Sequence, residues 1–405
     1  MRGADLLTPG AAWPAGGSTT GNDGPDHTRQ VPPRLPGEWW RHLWSGRPRL
    51  EVLVHTSDVA EPGTGTLPRG QHDAPGAGRT DGSDLGAARG GDSGGGPGFD
   101  RQVTRDGYAW WYVDALSDDG RHGLTLIAFI GSVFSPYYAW ARRRGRGEPE
   151  NFCSLNVALY GASGKRWALT ERGRGALERT AETLSIGPSA LHWDGSALTI
   201  DIDEVTAPVP TRLRGRVRLH PGALVKQPIA LDVPGRHHWR PIAPSSRVEV
   251  AMERPSLRWT GGAYLDTNFG TEPLEDGFVR WDWSRTGLYD GAAILYDIER
   301  RAGGQKRLAL RISPRGEVEA FDPPPKASLP TTSIWRIARA TQADQGQSAE
   351  VVETLEDTPF YARSVIRSQL LGEPVKAFHE SLSLDRFRQP WVQVLLPFRM
   401  PRLAR

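Results

Sequence analysis

Three pairs of residues at two-residue spacing carry the chemistry available to this chain: His237 with Trp239, Tyr264 with Asp266, and Trp281 with Trp283. On an extended backbone each pair shares one face. All six lie between residues 237 and 283, where imidazole, indole, phenol and carboxylate are mixed more densely than elsewhere. A plain β core seldom needs Asp and His among its indoles. The mixture suits two jobs. One is gripping a sugar ring, with aromatic faces stacking and a carboxylate pair cutting. The other is handling a carbocation, which an acid creates and desolvated aromatic faces steady by ~2 kcal/mol or more each. Asp266 is the candidate acid in both. Glycoside hydrolysis would add Glu253, Glu272 or Asp282 as a second carboxylate in an open cleft. The adjacent His237 and His238 would point to opposite faces of a strand, so no metal site is expected.

Period-two patterning supplies the elements to hold these residues. Strands are predicted over 108–113, 124–130, 154–160, 197–203 and 213–219, then over 248–252, 257–260, 277–283, 292–300, 307–312, 333–338 and 391–396. In 213–219, Leu213, Val217 and Leu219 alternate with Arg214, Arg216 and Arg218, which gives one buried and one wet face. Turn residues separate the strands, as at Asp118-Asp119-Gly120 and Pro221-Gly222. Helical spacing is weak: 176–184 is the best candidate, and 375–383 suits a turn or two. Many short strands with Gly/Pro turns point to an all-β architecture of two antiparallel barrel or sandwich domains, over residues 99–245 and 246–405. The three pairs would line one barrel interior. The aromatic strand 108–113 presents two faces, one core and one extending an apolar tunnel, and Trp111 is assigned to the tunnel lining with Trp281 and Trp283. Residues 134–140 read as an aromatic loop that is either a tunnel mouth, a membrane-facing lip or a loop packed on the core.

Residues 1–98 are rich in Gly, Pro, Ser, Asp and Thr and bury too little apolar surface to offset their ordering entropy. A disordered extension is expected there, in which Trp39, Trp40 and Trp44 form an island. The formal net charge is +3, from 50 basic and 47 acidic residues. The cations cluster only at Arg142-Arg143-Arg144-Gly145-Arg146, so nucleic acid is not an expected partner. Cys153 is the single cysteine, which leaves no disulfide framework and reads as a small buried hydrophobe. There is no Gly-x-Gly-x-x-Gly, no Gly-x-x-x-x-Gly-Lys-Ser/Thr and no His-Glu-x-x-His. No segment has the ~20 apolar residues of a membrane span, and a cytoplasmic location is expected.

At 107–115 (Gly-Tyr-Ala-Trp-Trp-Tyr-Val-Asp-Ala), 134–138 (Phe-Ser-Pro-Tyr-Tyr), 150–153 (Glu-Asn-Phe-Cys), 237–244 (His-His-Trp-Arg-Pro-Ile-Ala-Pro), 262–270 (Gly-Ala-Tyr-Leu-Asp-Thr-Asn-Phe-Gly) and 397–401 (Pro-Phe-Arg-Met-Pro), the chain resembles the carotenoid 1,2-hydratases of purple phototrophic bacteria, also called hydroxyneurosporene synthases. The resemblance is expected to run from residue 99 to 405. It implies a lipocalin-like, two-domain β fold. It also implies cofactor-free addition of water across the terminal double bond of acyclic carotenes such as neurosporene or lycopene. The family's acid falls on Asp266, and its associated His, Trp and Tyr fall on His237, Trp239 and Tyr264. An isolated alkene is a very weak base, so the donor must stay protonated at neutral pH, and burial in an apolar pocket achieves that. Trp239 and Tyr264 would then steady the tertiary cation, and His237 would manage the proton or the water. Because a carotene is lodged in membrane, peripheral contact with the photosynthetic membrane is expected through residues 134–140 and the Arg142 cluster. The alternatives are a non-catalytic carotenoid- or lipid-binding protein of the same fold and, more distantly, the glycoside hydrolase or a carbocation cyclase.

Overall fold

The computed structural model describes residues 95–161 and 164–403. The expected disordered extension lies outside the described residues except for 95–98. These are buried, and Pro97 O accepts a 3.0 Å bond from Trp111 Nε1 while Gly96 O accepts a 2.7 Å bond from Arg240 Nη2. Folded chain therefore begins a few residues before the expected boundary at 98.

In chain order the strands of the first half are β1 (Tyr108–Ser117), β2 (His122–Ile130), β3 (Cys153–Gly161), β4 (Arg166–Arg172), β5 (Leu177–Arg179), β6 (Thr183–Ile186), β7 (Ser189–Trp193), β8 (Leu198–Val205), β9 (Arg212–Pro221), β10 (Ile229–Ala230), β11 (His237–Arg254) and β12 (Leu257–Gly270). Those of the second are β13 (Phe278–Leu288), β14 (Gly291–Arg300), β15 (Gln305–Ile312), β16 (Val318–Ala320), β17 (Lys326–Leu329), β18 (Arg339–Gln342), β19 (Glu350–Asp357), β20 (Tyr361–Leu370), β21 (Glu373–Ser383) and β22 (Arg402–Leu403). Short helices follow or interrupt them: α1 (Pro136–Arg142), α2 (Leu274–Gly277), α3 (Leu384–Phe387) and α4 (Pro390–Leu395). The all-β, antiparallel class is as expected.

A 13-stranded sheet runs β22-β4-β3-β2-β1-β12-β11-β9-β8-β7-β6-β5, with β10 on β11, and a seven-stranded sheet runs β16-β15-β14-β13-β21-β20-β19. The expected division at 245/246 falls inside β11, and β12 also belongs to the first sheet; the chain crosses to the second sheet between Gly270 and Phe278. β11 contains Pro241 and Pro244 yet stays in the sheet, because register shifts between Arg240 and Ala243 and between Ala243 and Ser246 release the ladder where proline cannot donate.

Two cores result, and β1 separates them. Its odd residues, Ala109, Trp111 and Val113, pack with Leu198, Ile200 and Val217 inside the folded first sheet. Its even residues, Tyr108, Trp110 and Tyr112, pack with Trp281, Trp283 and Phe378 between the sheets. On β9 the predicted wet face is real: Arg216 and Arg218 pair with Asp201 and Asp194.

Four element assignments change. Residues 176–184 hold no α-helix but β5 and the start of β6, in which Leu184 and Ile186 are buried in alternation with half-buried residues. Residues 375–383 lie in β21, where Phe378 and Leu382 face the core between the sheets. Residues 333–338 form no strand; Arg336 sits at φ 52°, a left-handed geometry that ladders do not accommodate. Residues 391–395 belong to α4 and Leu396 opens the 3-10 turn that follows; Val392 and Leu396 are buried at i,i+4 spacing and Trp391, Val394 and Leu395 are exposed. The aromatic loop is helical as well: Ser135 caps α1 by accepting from the Tyr138 amide at 3.2 Å.

Candidate active site

Most of the candidate residues meet between the sheets, not inside one barrel as the sequence suggested. Antiparallel pairing of β1 with β12 sets Tyr112 opposite Asp266, Trp110 opposite Asn268 and Asp114 opposite Tyr264. Pairing of β13 with β21 sets Trp283 opposite Glu380. The two strand pairs face each other across a chamber of about 40 Å³. Six aromatics wall it: Trp110, Tyr112, Trp239, Trp281, Trp283 and Tyr296. Its polar groups are Asp266, Asn268 and Glu380.

Asp266 is 4% exposed. Trp239 Nε1 donates to Asp266 Oδ2 at 2.9 Å and Tyr264 Oη donates to the same oxygen at 2.8 Å. Asp266 Oδ1 has no protein partner. With both donors on Oδ2, Oδ1 is the oxygen left to carry a proton. Burial pushes the Asp266 carboxyl up to about 8. The bonds from Trp239 and Tyr264 oppose the shift, and the charges of Glu380 and Asp114 add to it. The site thus holds a carboxylic acid that is neutral at pH 7, turned to an aromatic enclosure.

Tyr264 and Trp239 are buried beside Asp266, and Trp281 and Trp283 line the chamber. Tyr264 does not line it; it holds the acid from behind and is braced by Arg285, whose guanidinium lies 5.5 Å from the ring and pairs with buried Asp114. Trp111 is not part of the site. It points to the opposite face of β1, into the core of the first sheet, and Trp110 takes the lining position instead.

His237 shares the buried face of β11 with Trp239 but makes no bond to Asp266. Its Nδ1 is 2.9 Å from Tyr108 Oη, its Nε2 is 3.1 Å from Glu272 Oε1, and its amide donates to Asp232 at 3.0 Å. Burial lowers its pKa. Gly270 and Gly277 make room for the ring; a Cβ on either would collide with it. The contact with the reacting chamber is indirect, through Tyr108, which stacks on Trp110 at 5.1 Å. Asp232, His237 and Glu272 each place a ligand-type atom within 4.8 Å of the others. A cation is already supplied there: Arg236 donates to Glu272 at 2.6 Å and lies 3.9 Å from Asp232.

A larger apolar pocket of about 350 Å³ adjoins the chamber and shares Trp110, Tyr112, Trp281 and Glu380 with it. Phe129, Phe134 and Leu382 form its inner wall, and Trp335, Leu395 and Phe398 lie toward solvent. Five residues of the chamber escaped sequence reasoning: Trp110, Tyr112, Asn268, Tyr296 and Glu380. Glu380 had a usable signal, a lone acid at i±2 from Phe378 and Leu382, and treating 375–383 as helical hides it. Trp110 needs the β1–β12 register, which one strand alone does not reveal. Cys153 is buried as expected, and desolvation pushes its thiol up to about 12.

The carotenoid hydratase CrtC family model matches residues 126–405. The acyclic carotenoid 1,2-hydratase of Thiocapsa roseopersicina is 56% identical over 404 residues, covering 100% of both chains. That of Rubrivivax gelatinosus is 51% identical over 373 residues, 91% of this chain and 92% of its own. The Thiocapsa alignment takes in residues 1–98 too, so the resemblance is wider than the expected 99–405. A Nitrosomonas europaea structure provisionally described as an AttH superposes with a TM-score of 0.47 at 15% identity, over 69% of this chain and 92% of that one.

Proposed function

The chain belongs to the carotenoid hydratase CrtC family, and from that premise we propose that it adds water across the terminal C1–C2 double bond of acyclic carotenes such as neurosporene and lycopene, without a cofactor, as a hydro-lyase giving a tertiary alcohol. The observation that carries this reading is the Asp266 acid: buried, two donors on Oδ2, Oδ1 unpartnered, and an indole-walled chamber in front. The end of the polyene enters from the apolar pocket. Asp266 gives its proton to the less substituted alkene carbon, and the tertiary cation forms among Trp110, Trp281 and Trp283. An aromatic face felt only by the cation is worth ~2 kcal/mol, roughly thirtyfold in rate. Trp239 and Tyr264 position the acid. His237 fixes the Tyr108–Trp110 wall.

The substrate comes from a membrane surface, on which a cytoplasmic protein rests peripherally. No helix among the described residues is long and apolar enough to cross a membrane. Within the expected contact, Phe134 faces the pocket, Tyr138 is fully buried and Arg142 pairs with Glu275 at 2.5 Å, whereas Arg143, Arg144 and Arg146 are exposed. The pocket mouth suits it better. Leu395 and Phe398 are exposed there, with Trp391 and Val394 exposed on the same short helix and the exposed Arg388 just before it.

The test is incubation of purified protein with lycopene in detergent and ¹⁸O-labelled water, without added cofactor, read by mass spectrometry. One labelled water gained is the expected outcome. Lycopene that co-purifies unchanged would favour the non-catalytic binding protein, and a ring without an alcohol would favour a cyclase.

A further inference from the structure

Hydration leaves one proton to be removed. When water bonds to a tertiary cation it becomes an oxonium ion, and a base must take its extra proton before the alcohol is stable. His237 is not placed for this, since both ring nitrogens are engaged by Tyr108 and Glu272 and it does not line the chamber. One carboxylate other than Asp266 does line it. Glu380 stands where the chamber meets the apolar pocket and belongs to the wall of both.

Its anchoring is specific. Arg363 donates to Glu380 Oε1 from Nε at 2.9 Å and from Nη2 at 2.8 Å, and Tyr112 Oη donates to the same oxygen at 2.9 Å. Arg363 is itself 1% exposed and is held by a 2.7 Å bond to Tyr160 Oη. The three donors converge on Oε1, and none of them reaches Oε2. Asp266, on the facing sheet, likewise has its donors on one oxygen, with Oδ1 unpartnered. Two carboxyl groups in one small cavity are thereby given opposite tasks, one kept as an acid by burial and the other paired to a buried guanidinium.

We propose that Glu380 is the base that binds the attacking water and accepts its proton, in partnership with Asp266 as the acid. This rests on the hydratase reading above. The bookkeeping closes. Asp266 Oδ1–H gives a proton to the alkene carbon, and the π bond becomes that C–H bond. The water oxygen bonds to the cationic carbon, one of its O–H bonds breaks, and that proton goes to Glu380. A proton then returns from Glu380 to Asp266 through solvent in the chamber. Net, one water is added and nothing is oxidised or reduced.

The test separates the two proton transfers. In D₂O, Asp266 delivers deuterium to the alkene. If the cation loses a proton instead of capturing water, deuterium appears in recovered lycopene. Glu380→Gln keeps an acceptor for Arg363 and Tyr112 but offers no base. Its hydration rate should fall ~100-fold or more, the usual scale for losing a general base, while deuterium incorporation into recovered lycopene persists. The ratio of exchange to hydration should therefore rise at least ~30-fold. Glu380→Asp, which keeps the charge, should recover part of the hydration and show a smaller rise in the ratio. It also decides the matter if Glu380→Gln does not fold. An unchanged ratio in the folded variants, whether both rates fall together or neither falls, overturns the assignment and leaves Glu380 as packing for Arg363. Wild-type protein that neither hydrates lycopene nor exchanges deuterium would instead sink the hydratase reading itself.

Discussion

His237 and Asp266 sit on the adjacent strands β11 and β12, both buried, both polar, both ringed by aromatics. Around His237 every side-chain nitrogen has a partner, and Arg236 pairs with Glu272 and lies 3.9 Å from Asp232. Around Asp266 both donors crowd onto one oxygen and the other is left bare. An unpartnered buried polar atom costs ~1–3 kcal/mol, so a fold that keeps one is giving up stability. A saturated cluster does the work of a joint, and an unsaturated one holds chemistry in reserve. Sequence alone groups the two residues together; the partner count separates them.

The sharpest way to break that contrast is Asp266→Asn. It keeps the shape and the acceptor for Trp239 and Tyr264 but removes the acid. Hydration per folded molecule should drop by ~10³-fold or more, measured as product formed from lycopene. The substitution should also reveal the stored cost. A carboxyl raised to about 8 in the folded protein binds a proton that the unfolded chain, near 3.9, has released. Wild-type stability should therefore be intact below pH ~4, fall through the interval up to ~8, and level off above it. The loss is several kcal/mol in all. In Asp266→Asn that slope should vanish, so that thermal melts of the two proteins draw apart as pH rises. Parallel melting curves between pH 5 and 8 would show that the acid is not buried as described.

His237→Gln tests the other half. If the cluster is a joint, the loss falls mainly on stability: Tyr108 and Glu272 lose a buried partner, which costs ~1–3 kcal/mol and lowers the melting temperature by several degrees. Hydration per folded molecule should change by less than ~10-fold, because disturbance reaches the chamber only through the Tyr108–Trp110 stack. A loss as deep as that of Asp266→Asn would place His237 in the proton path.

How much of this was legible in the residues depends on what each inference required. The two-residue spacing of Tyr264 and Asp266 states which side chains share a face, and that survives any arrangement of sheets. The same rule put Trp281 and Trp283 together correctly. It is silent on which face of β1 meets them, and so Trp111 was preferred over Trp110, one residue and one core away. Facing sheets are set by long-range packing that no local pattern encodes. Glu380 was hidden for a second reason: alternation in β21 is blurred because both sides of the strand are largely buried, one against Tyr112 and Arg363, the other at His379 and Ser381. The helical period of α4 was missed because Pro390 opens a segment so apolar that it also reads as a strand.

Tyr264→Phe sharpens the comparison without destroying it. The Tyr264 hydroxyl stabilises the charged form of Asp266, as does the Trp239 indole. Removing one donor should move the acid further up. Activity requires the protonated acid, so the wild-type rate should hold below pH 8 and fall above it, and in Tyr264→Phe the falling limb should move to higher pH. The plateau rate should drop by about tenfold or less, as the acid loses one of its two positioning bonds. A limb that moves down or stays would mean that the group titrating in the profile is not Asp266.

The smallest effect belongs to the pocket mouth, where the balance of the two clusters is not touched. Trp391, Val394, Leu395 and Phe398 expose apolar surface on a segment whose neighbours Arg388 and Arg399 are cationic. Burying one such side chain in a bilayer is worth ~1.5–3 kcal/mol, and each basic residue near an anionic surface adds ~1 kcal/mol. Phe398→Asp should weaken sedimentation with anionic vesicles by about tenfold or more. Activity on lycopene presented in vesicles should fall with it, and activity on lycopene in detergent should change far less. The separation matters more than the size: a variant that loses both equally has damaged the pocket, and one that loses only the vesicle assay shows that delivery and chemistry are carried by different parts of the same wall.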